Sequence, residues 1–370
     1  MAELRRIALL HGFSRANSGD GLLVDLTLEA LADAGALADE CVLLALDPES
    51  FADLPHVVCA PGEPTARPSW KLARAGGEVL ASMAGRGQIR TELARADAAV
   101  AVGGGYLVAD SLTRQGGVIA NHLPQLRAAA RLTAPTIYLP QSIGPLSGIA
   151  GHWARQQLAR MDRVWLRDDA SMAELQLPNA RRCADLAVMK LARTLPVITP
   201  AITGEAAVLV GRDLPRRGDY LDRLRALQQL LPGCTWAVQA DVAGPRSDRS
   251  FYRREGLGPD TGTLARALEQ PGGPVISVRL HGAIAALLAG RPAIHLAYER
   301  KGWGAYQDLG LDDFVHDARR FDPATVAAQA RALANDPAPF LHRIAMAAPA
   351  LARQWDAMVA DLAERLPPSR

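Results

Sequence analysis

A two-domain α/β protein built from repeated βα units is the fold class this sequence predicts, and three observations predict it. At 370 residues the chain is too long for one ordinary core and suits two domains of roughly 150–200 residues each. Hydrophobic residues make up 49% and aromatic residues only 5%, an Ala/Leu-rich makeup that fits α/β layers better than a β-sandwich. Short apolar runs alternate with amphipathic stretches over the whole length, as on parallel sheets whose strands are covered on both faces.

In the first half the strand candidates are "RIALL" from Arg6, "CVLLAL" from Cys41, "AAVAV" from Ala98, "PTIYL" from Pro135 and "RVWLR" from Arg163. Between the first two lies "LLVDLTLEALADAG". Its Leu22, Leu23, Leu26, Ala30 and Leu31 share one helical face, and Gly35 can stop the helix. The pattern pauses at "RTLPVITPAITGEA", which has two prolines and no helical period. A second strand series then begins with "AAVLVG" from Ala206, "CTWAV" from Cys234, "PVISVRL" from Pro274 and "PAIHLAY" from Pro292. Dividing at the pause gives domains of residues 1–198 and 199–345. From "FDPATVAAQ" onward the pattern is helical, and residues 346–370 are expected to pack back on the first domain. "DVAGPRSDRSFYRREGLGPDTG" reads as a mobile surface loop.

The net charge of +2 is spread along the chain, so no basic stripe points to nucleic acid. The apolar run of "MAELRRIALL" breaks at His11, which does not make a signal peptide. No apolar segment reaches the length of about 18 residues that spans a bilayer. Cys41, Cys59, Cys183 and Cys234 are scattered singly and read as small buried hydrophobes in a reducing cytoplasm, with no disulfide frame and no zinc site. The expectation is a soluble, cytoplasmic protein.

The chemistry concentrates where strands end. "PVISVRL" runs into the helix "HGAIAALLAG", bringing Ser277, Arg279, Leu280 and His281 to a point where helix N–H groups are free. That makes an anion site with an acid/base beside it, a structural His paired with a carboxylate being the alternative. The first strand leads into a glycine-rich turn with Gly12, Asn17, Gly19, Asp20 and Gly21; Asp20 is either an N-cap or a ligand contact. Gly103, Gly104 and Gly105 follow "AAVAV" and mark either close ligand approach or a tight turn. Gln141 and Ser142 end another strand, and Arg167 ends the next, where a salt bridge to Asp168 or Asp169 is the alternative to ligand binding. In the second half Arg212, Gln239, Asp241 and Tyr298 through Lys301 stand at strand ends. This carboxyl edge is where open parallel sheets bind ligands. Arg279 and Lys301, with Arg212, suit a phosphorylated anion, although a lone surface lysine is ordinarily just solvated.

With these pieces assembled, the chain resembles the polysaccharide pyruvyl transferases. The carriers are "ANSGDGLL", "GGGYL", "PQSIGP", "RDDAS", "DLA" at Asp185 and, most specifically, "SVRLHGAIAALLAGRPAIHLAYERKGWGAYQDLGL". Together they extend from about residue 7 to 315. The resemblance implies two Rossmann-like domains facing across a cleft, as in GT-B enzymes. It also implies transfer of pyruvate from phosphoenolpyruvate to sugar hydroxyls as a ketal, without a metal or other cofactor. It assigns His281 as general acid, and Arg279, Arg167, Leu280, Ser277 and Lys301 to the donor. Asn17, Asp20, Gly104, Gly105 and Gln141 fall to the acceptor. Partners are then phosphoenolpyruvate and a free or lipid-linked glycan, with the protein cytoplasmic or peripheral at the inner membrane face; self-association stays open. Two departures bear on the acceptor: Arg15-Ala16 precede Asn17 where a glycine is usual, and Leu186 follows Asp185 where a proline is common. The rival classes are a GT-B glycosyltransferase using a nucleotide sugar and a non-catalytic sugar- or nucleotide-binding protein. The first is disfavoured because Gln307 stands eight residues after Glu299, where a second Glu would be needed, and no Asp-x-Asp occurs.

Overall fold

The apolar runs become strands because both of their faces are covered: the strand Arg6–Gly12 is buried at every position, as parallel strands between helical layers must be. A computed structural model describes residues 5–366 apart from 38, 61–75, 82–83, 196–201, 203, 205, 216–217, 243–246 and 259–260. Its chain divides into two units.

The first unit comprises Met1–Arg15, Asp20–Leu186 and Gln354–Arg370. Its sheet has seven parallel strands: β1 (Arg6–Gly12), β2 (Glu40–Ala45), β3 (Val57–Cys59), β4 (Ala98–Ala101), β5 (Thr136–Gln141), β6 (Arg163–Leu166) and β7 (Ala180–Arg182). They lie in the order β3-β2-β1-β4-β5-β6-β7, so the winding reverses between β1 and β4, at the crevice where such sheets hold ligands. Ile7 pairs with Ala98 and Leu10 with Ala101 across that reversal. The register slips near the carboxyl ends of β1 and β5, which re-aims the side chains that follow. The end of the last helix, Ala338–Arg365, is tied to this unit. Trp355 donates to Asp33 at 2.9 Å, and Asp361 accepts from Arg163 at 2.9 Å.

The second unit comprises Ala16–Gly19 and Ala187–Arg353. Its five-stranded sheet runs β12-β11-β10-β8-β9, with β8 (Val208–Val210), β9 (Thr235–Trp236), β10 (Val275–Ser277), β11 (Ala293–Ala297) and β12 (Val315–Asp317). Here the winding reverses between β8 and β10. The division falls at Leu186/Ala187, earlier than 198, because the helix Leu186–Thr194 clusters with the second unit from Ala187 on. Most of the proline-bearing pause lies outside the described residues.

Two expectations are corrected. "PVISVRL" is strand only as far as Ser277; Arg279 is already the N-cap of the helix Leu280–Leu288, so His281 stands in that helix's first turn. The segment expected as a mobile loop holds the helix Asp248–Glu255, with Asp248, Phe251 and Tyr252 buried. The Ser247 side chain caps it on Ser250 N–H, and Gly256 closes it in the left-handed region, both ordinary helix-end devices.

Candidate active site

At the end of β10, Ser277 makes the turn. Its Oγ accepts from Arg279 N–H at 3.1 Å and donates to Arg279 carbonyl at 2.7 Å. The Arg279 guanidinium then folds onto Asp248, with Nε at 3.0 and 2.9 Å from the two carboxylate oxygens. Asp248 also accepts from the backbone N–H groups of Gln239 (3.2 Å) and Ala240 (2.9 Å). Burial alone would lower the Arg279 pKa, but the Asp248 carboxylate outweighs it and leaves it raised. Arg279 is thus a fixed cation with one edge already committed. Asp248 was not among the expected site residues, because the turn-rich sequence around it masks a buried helix start.

His281 is wedged under the glycine-rich turn. A Cβ at Gly19 would stand 2.7 Å from His281 Cβ, 2.9 Å from its Nδ1 and 3.0 Å from Gln239 Nε2. A Cβ at Gly282 would stand 2.2 Å from Gln239 Oε1. Two glycines therefore let the turn, the Gln239 amide and the imidazole share one small volume. The turn is also pinned by its backbone: Asn17 bridges Ala240, and Asp241 N–H donates to Ala16 carbonyl at 3.0 Å. Asn17 accordingly belongs to the second unit. Asp20 clusters with the first unit in the first turn of the helix Ser18–Asp33, where its charge favours the helix dipole.

Beneath this lies His295 on β11, another residue missed from sequence. Its Nδ1 donates to Ser277 carbonyl at 2.8 Å, which leaves Nε2 without the proton in the neutral ring. Burial pushes its pKa down to about 4, and the nearby Lys301 and His281 push the same way. Leu280, the first residue of the helix, is buried. Lys301 pairs with Glu299 at 3.0 Å, partly exposed, and Arg212 stacks over the Tyr298 ring at 4.6 Å.

In the first unit the expected residues form a second constellation. Arg167, buried after β6, donates from Nε to Ser142 Oγ at 2.9 Å and from Nη1 to the buried Asp185. The salt bridge is therefore to Asp185, in the "DLA" segment, and Asp168 instead caps a helix on Ser171 N–H at 2.7 Å. Gln141 is fully buried and turns inward, donating to Tyr106 Oη at 2.6 Å. Gly103 is tight against Pro140 carbonyl (2.9 Å from a would-be Cβ), and Gly104 against the Tyr106 ring (3.0 Å). Ser142 N–H donates to Gly104 carbonyl at 2.9 Å. Gly103 and Gly104 thus let β5 and the Tyr106 ring approach the backbone, and half-buried Gly105 continues the same loop.

Tyr106 closes a cluster that sequence reasoning did not find. His11, with φ +66 in the last residues of β1 before Gly12, places Nε2 2.6 Å from Tyr138 Oη and Nδ1 3.2 Å from Nδ1 of His122. Tyr106 stacks on His122 with ring centroids 4.7 Å apart. Two facing Nδ1 atoms can share only one proton. Burial drives both pKa values down, His122 to about 4 and His11 well below the usual range, helped there by His122. The isolated histidines gave no motif by which to pair them.

Among the described residues no group of three or more His, Cys, Asp or Glu converges to hold a metal ion. No described helix is long and apolar enough to cross a membrane.

The model of the polysaccharide pyruvyl transferase family matches residues 17–242, more than half of the chain. Comparison with curated proteins finds no match. Among solved structures, the UDP-GlcNAc 2-epimerase from Neisseria meningitidis bound to UDP-GlcNAc is similar over 95% of this chain and 100% of its own, at 8% identity and TM-score 0.52. UGT73P12 of Glycyrrhiza uralensis, complexed with glycyrrhetinic acid 3-O-monoglucuronide, is similar over 98% and 94%, at 10% identity and TM-score 0.52. The UDP-GlcNAc 2-epimerase from Methanocaldococcus jannaschii covers 88% and 92%, at 9% identity and TM-score 0.50. At these identities the likeness is one of fold, that of two Rossmann-like domains in GT-B proteins. With the family match over residues 17–242 added to this fold, the chain belongs to the polysaccharide pyruvyl transferase family.

Proposed function

We propose that this protein transfers the pyruvyl group of phosphoenolpyruvate to two hydroxyls of a sugar, forming a pyruvate ketal and releasing phosphate. Protonation of the methylene carbon makes an oxocarbenium-like centre at C2, and a sugar hydroxyl attacks there. The C2–O bond to phosphate breaks, and a second hydroxyl closes the ketal. Of the two hydroxyl protons, one regenerates the acid and the other leaves with phosphate.

The observation that carries this reading is the His281 imidazole, held under Gly19 at a helix N-terminus two residues from the buried Arg279 cation. An acid must meet the methylene while cations neutralise phosphate and carboxylate, and a guanidinium with one edge fixed by Asp248 is pre-oriented for that task. In this reading Ser277 shapes the turn, Leu280 begins the helix whose N–H groups face the donor, and Lys301 adds charge. Arg167, anchored by Asp185 and Ser142, is a fixed cation of the first unit suited to an anionic group. Asn17, Asp20, Gly104 and Gly105 serve the acceptor, and Gln141 acts through Tyr106. The charges present neutralise the donor without a metal.

The test is incubation with phosphoenolpyruvate and a panel of glycosides, following phosphate release and a pyruvate-sized mass gain on the sugar. Activity should survive chelators, and phosphoenolpyruvate should raise the melting temperature by binding the folded state. A melting shift with nucleotide sugars alone would hand the site to glycosyl transfer.

A further inference from the structure

The outer edge of the second unit's sheet holds a cavity of about 500 Å³, apart from the site described above. β9 is the last strand of that sheet. Its neighbours in the chain bond toward β8: Thr235 N–H donates to Ala207 carbonyl at 3.0 Å and Ala237 N–H to Leu209 carbonyl at 2.9 Å. Alternation along a parallel strand therefore turns the Trp236 N–H and carbonyl outward. Two residues on, the edge is covered, since Val238 donates to Gly262 carbonyl and accepts from Leu264 N–H. At Trp236 the described residues supply no such cover, and the cavity lies there. Gln228 and Cys234 on its wall precede β9 in the chain, whereas Gln239, against His281, follows it.

The polar groups on this wall are mostly donors. The Trp236 indole, which can only donate, reaches Gln228 Oε1 at 3.2 Å. That turns the amide oxygen to the ring and leaves both Nε2 hydrogens for another partner. Thr261 is 9% exposed and its Oγ1 has no hydrogen-bond partner, a rare state for a buried hydroxyl. Arg266 is exposed, and among the described residues its guanidinium meets no carboxylate; its backbone N–H alone is used, donating to Thr263 Oγ1 at 3.3 Å. No described Asp or Glu lines the cavity. Donors gathered around one cation, with no acid to answer them, select an oxyanion, and a planar guanidinium fits carboxylate or phosphate with two parallel bonds. The volume suits a small organic molecule, for which Trp236, Ala237 and Ala267 supply carbon surface.

We propose that this cavity binds a small organic oxyanion, a carboxylate or a phosphate monoester, held by Arg266, Gln228 and Thr261. The inference stands apart from the reaction assigned above, and its readouts use no phosphoenolpyruvate. Calorimetric titration of the full chain with citrate, glucose 6-phosphate and glucose reads affinity and its dependence on charge. Alkylation of Cys234, half-buried on the cavity wall, reads the place of binding. The half-buried Cys41 and Cys59 of the first unit are internal references. At least one of the two anions should bind, and the one that does assigns the group as carboxylate or phosphate ester; glucose should not bind. The bound anion should slow alkylation of Cys234 and leave Cys41 and Cys59 unchanged. Arg266→Gln should weaken binding about tenfold or more, as for a lost hydrogen bond to a charged group, at an unchanged melting temperature. Binding of neither anion, or of glucose as tightly as its phosphate, would overturn the proposal. So would wild-type affinity in Arg266→Gln, or equal slowing at all three cysteines.

Discussion

His281 and Arg279 sit two residues apart, yet they are held in different ways, so their substitutions should separate. The imidazole is positioned by glycine clearance, with Gly19 against its Cβ and Nδ1; the guanidinium is positioned by Asp248. His281→Gln should lower kcat by roughly 10²-fold or more, as for a lost general acid, while phosphoenolpyruvate affinity changes little. Turnover near the wild-type rate would make His281 structural. Asp248→Asn acts on stability instead. It strips the charge from the partner of a buried arginine, and breaking a buried pair in this way costs about 3–5 kcal/mol, readable as a drop in the urea midpoint. Asp248→Asn combined with Arg279→Met should recover part of that loss, because the uncompensated cation is removed as well.

Helices in the second unit pass so close to polar side chains that only glycine fits at the crossing. In the helix Arg300–Asp308, a Cβ at Gly302 would lie 2.2 Å from His295 Nε2 and 3.0 Å from Ala297 Cβ. His295 cannot swing aside without losing its bond to Ser277 carbonyl, the residue that shapes the turn into Arg279. Gly302→Ala should therefore destabilise by at least the ~1–3 kcal/mol typical of overpacking and lower activity along with stability. An unchanged melting temperature would show that the helix shifts freely over β11. The helix Asp248–Glu255 shows the same economy: one buried carboxylate at its start caps two backbone N–H groups and holds the site arginine.

Across the whole molecule, buried neutral histidines set the acid limit of stability. The pKa values of His11, His122 and His295 are all depressed, chiefly by burial, the last two to about 4. Unfolded, each binds a proton near pH 6.5, so below that pH the unfolded chain holds more protons than the folded one. Stability should be level above pH 7 and fall as pH drops from about 6.5 to 4. For fully buried His295 the loss is at most ~3 kcal/mol. Urea midpoints at pH 7.5, 6, 5 and 4.5 check this, and a flat series would mean that the histidines are hydrated. His295→Gln should flatten part of the slope, since it removes one titrating group.

Chain length, composition and apolar periodicity together indicated a two-unit α/β protein with parallel sheets. Strands covered on both faces must be apolar throughout, and that pattern is local. It also located most of the polar strand ends, because polar residues interrupt apolar runs at one edge; the family model itself matches residues 17–242 and so stops short of the Ser277–His281 motif. Only the tertiary structure decided what those residues do. The partners of Arg167 and Arg279 are Asp185 and Asp248, and nothing in local spacing distinguishes them from solvated carboxylates. The pairing of His11 with His122, separated by 111 positions, arises because the junction between two helices, where His122 stands, packs against β1. The same holds for Asn17, which follows a first-unit strand in sequence but bridges Ala240 of the second unit. The short strands β3, β7 and β12 escaped notice; β7 and β12 are polar at two of their three positions, whereas the equally short β8 and β10 lie within longer apolar runs. Local propensity writes the elements, whereas burial of charge is settled by what packs against it from far along the chain.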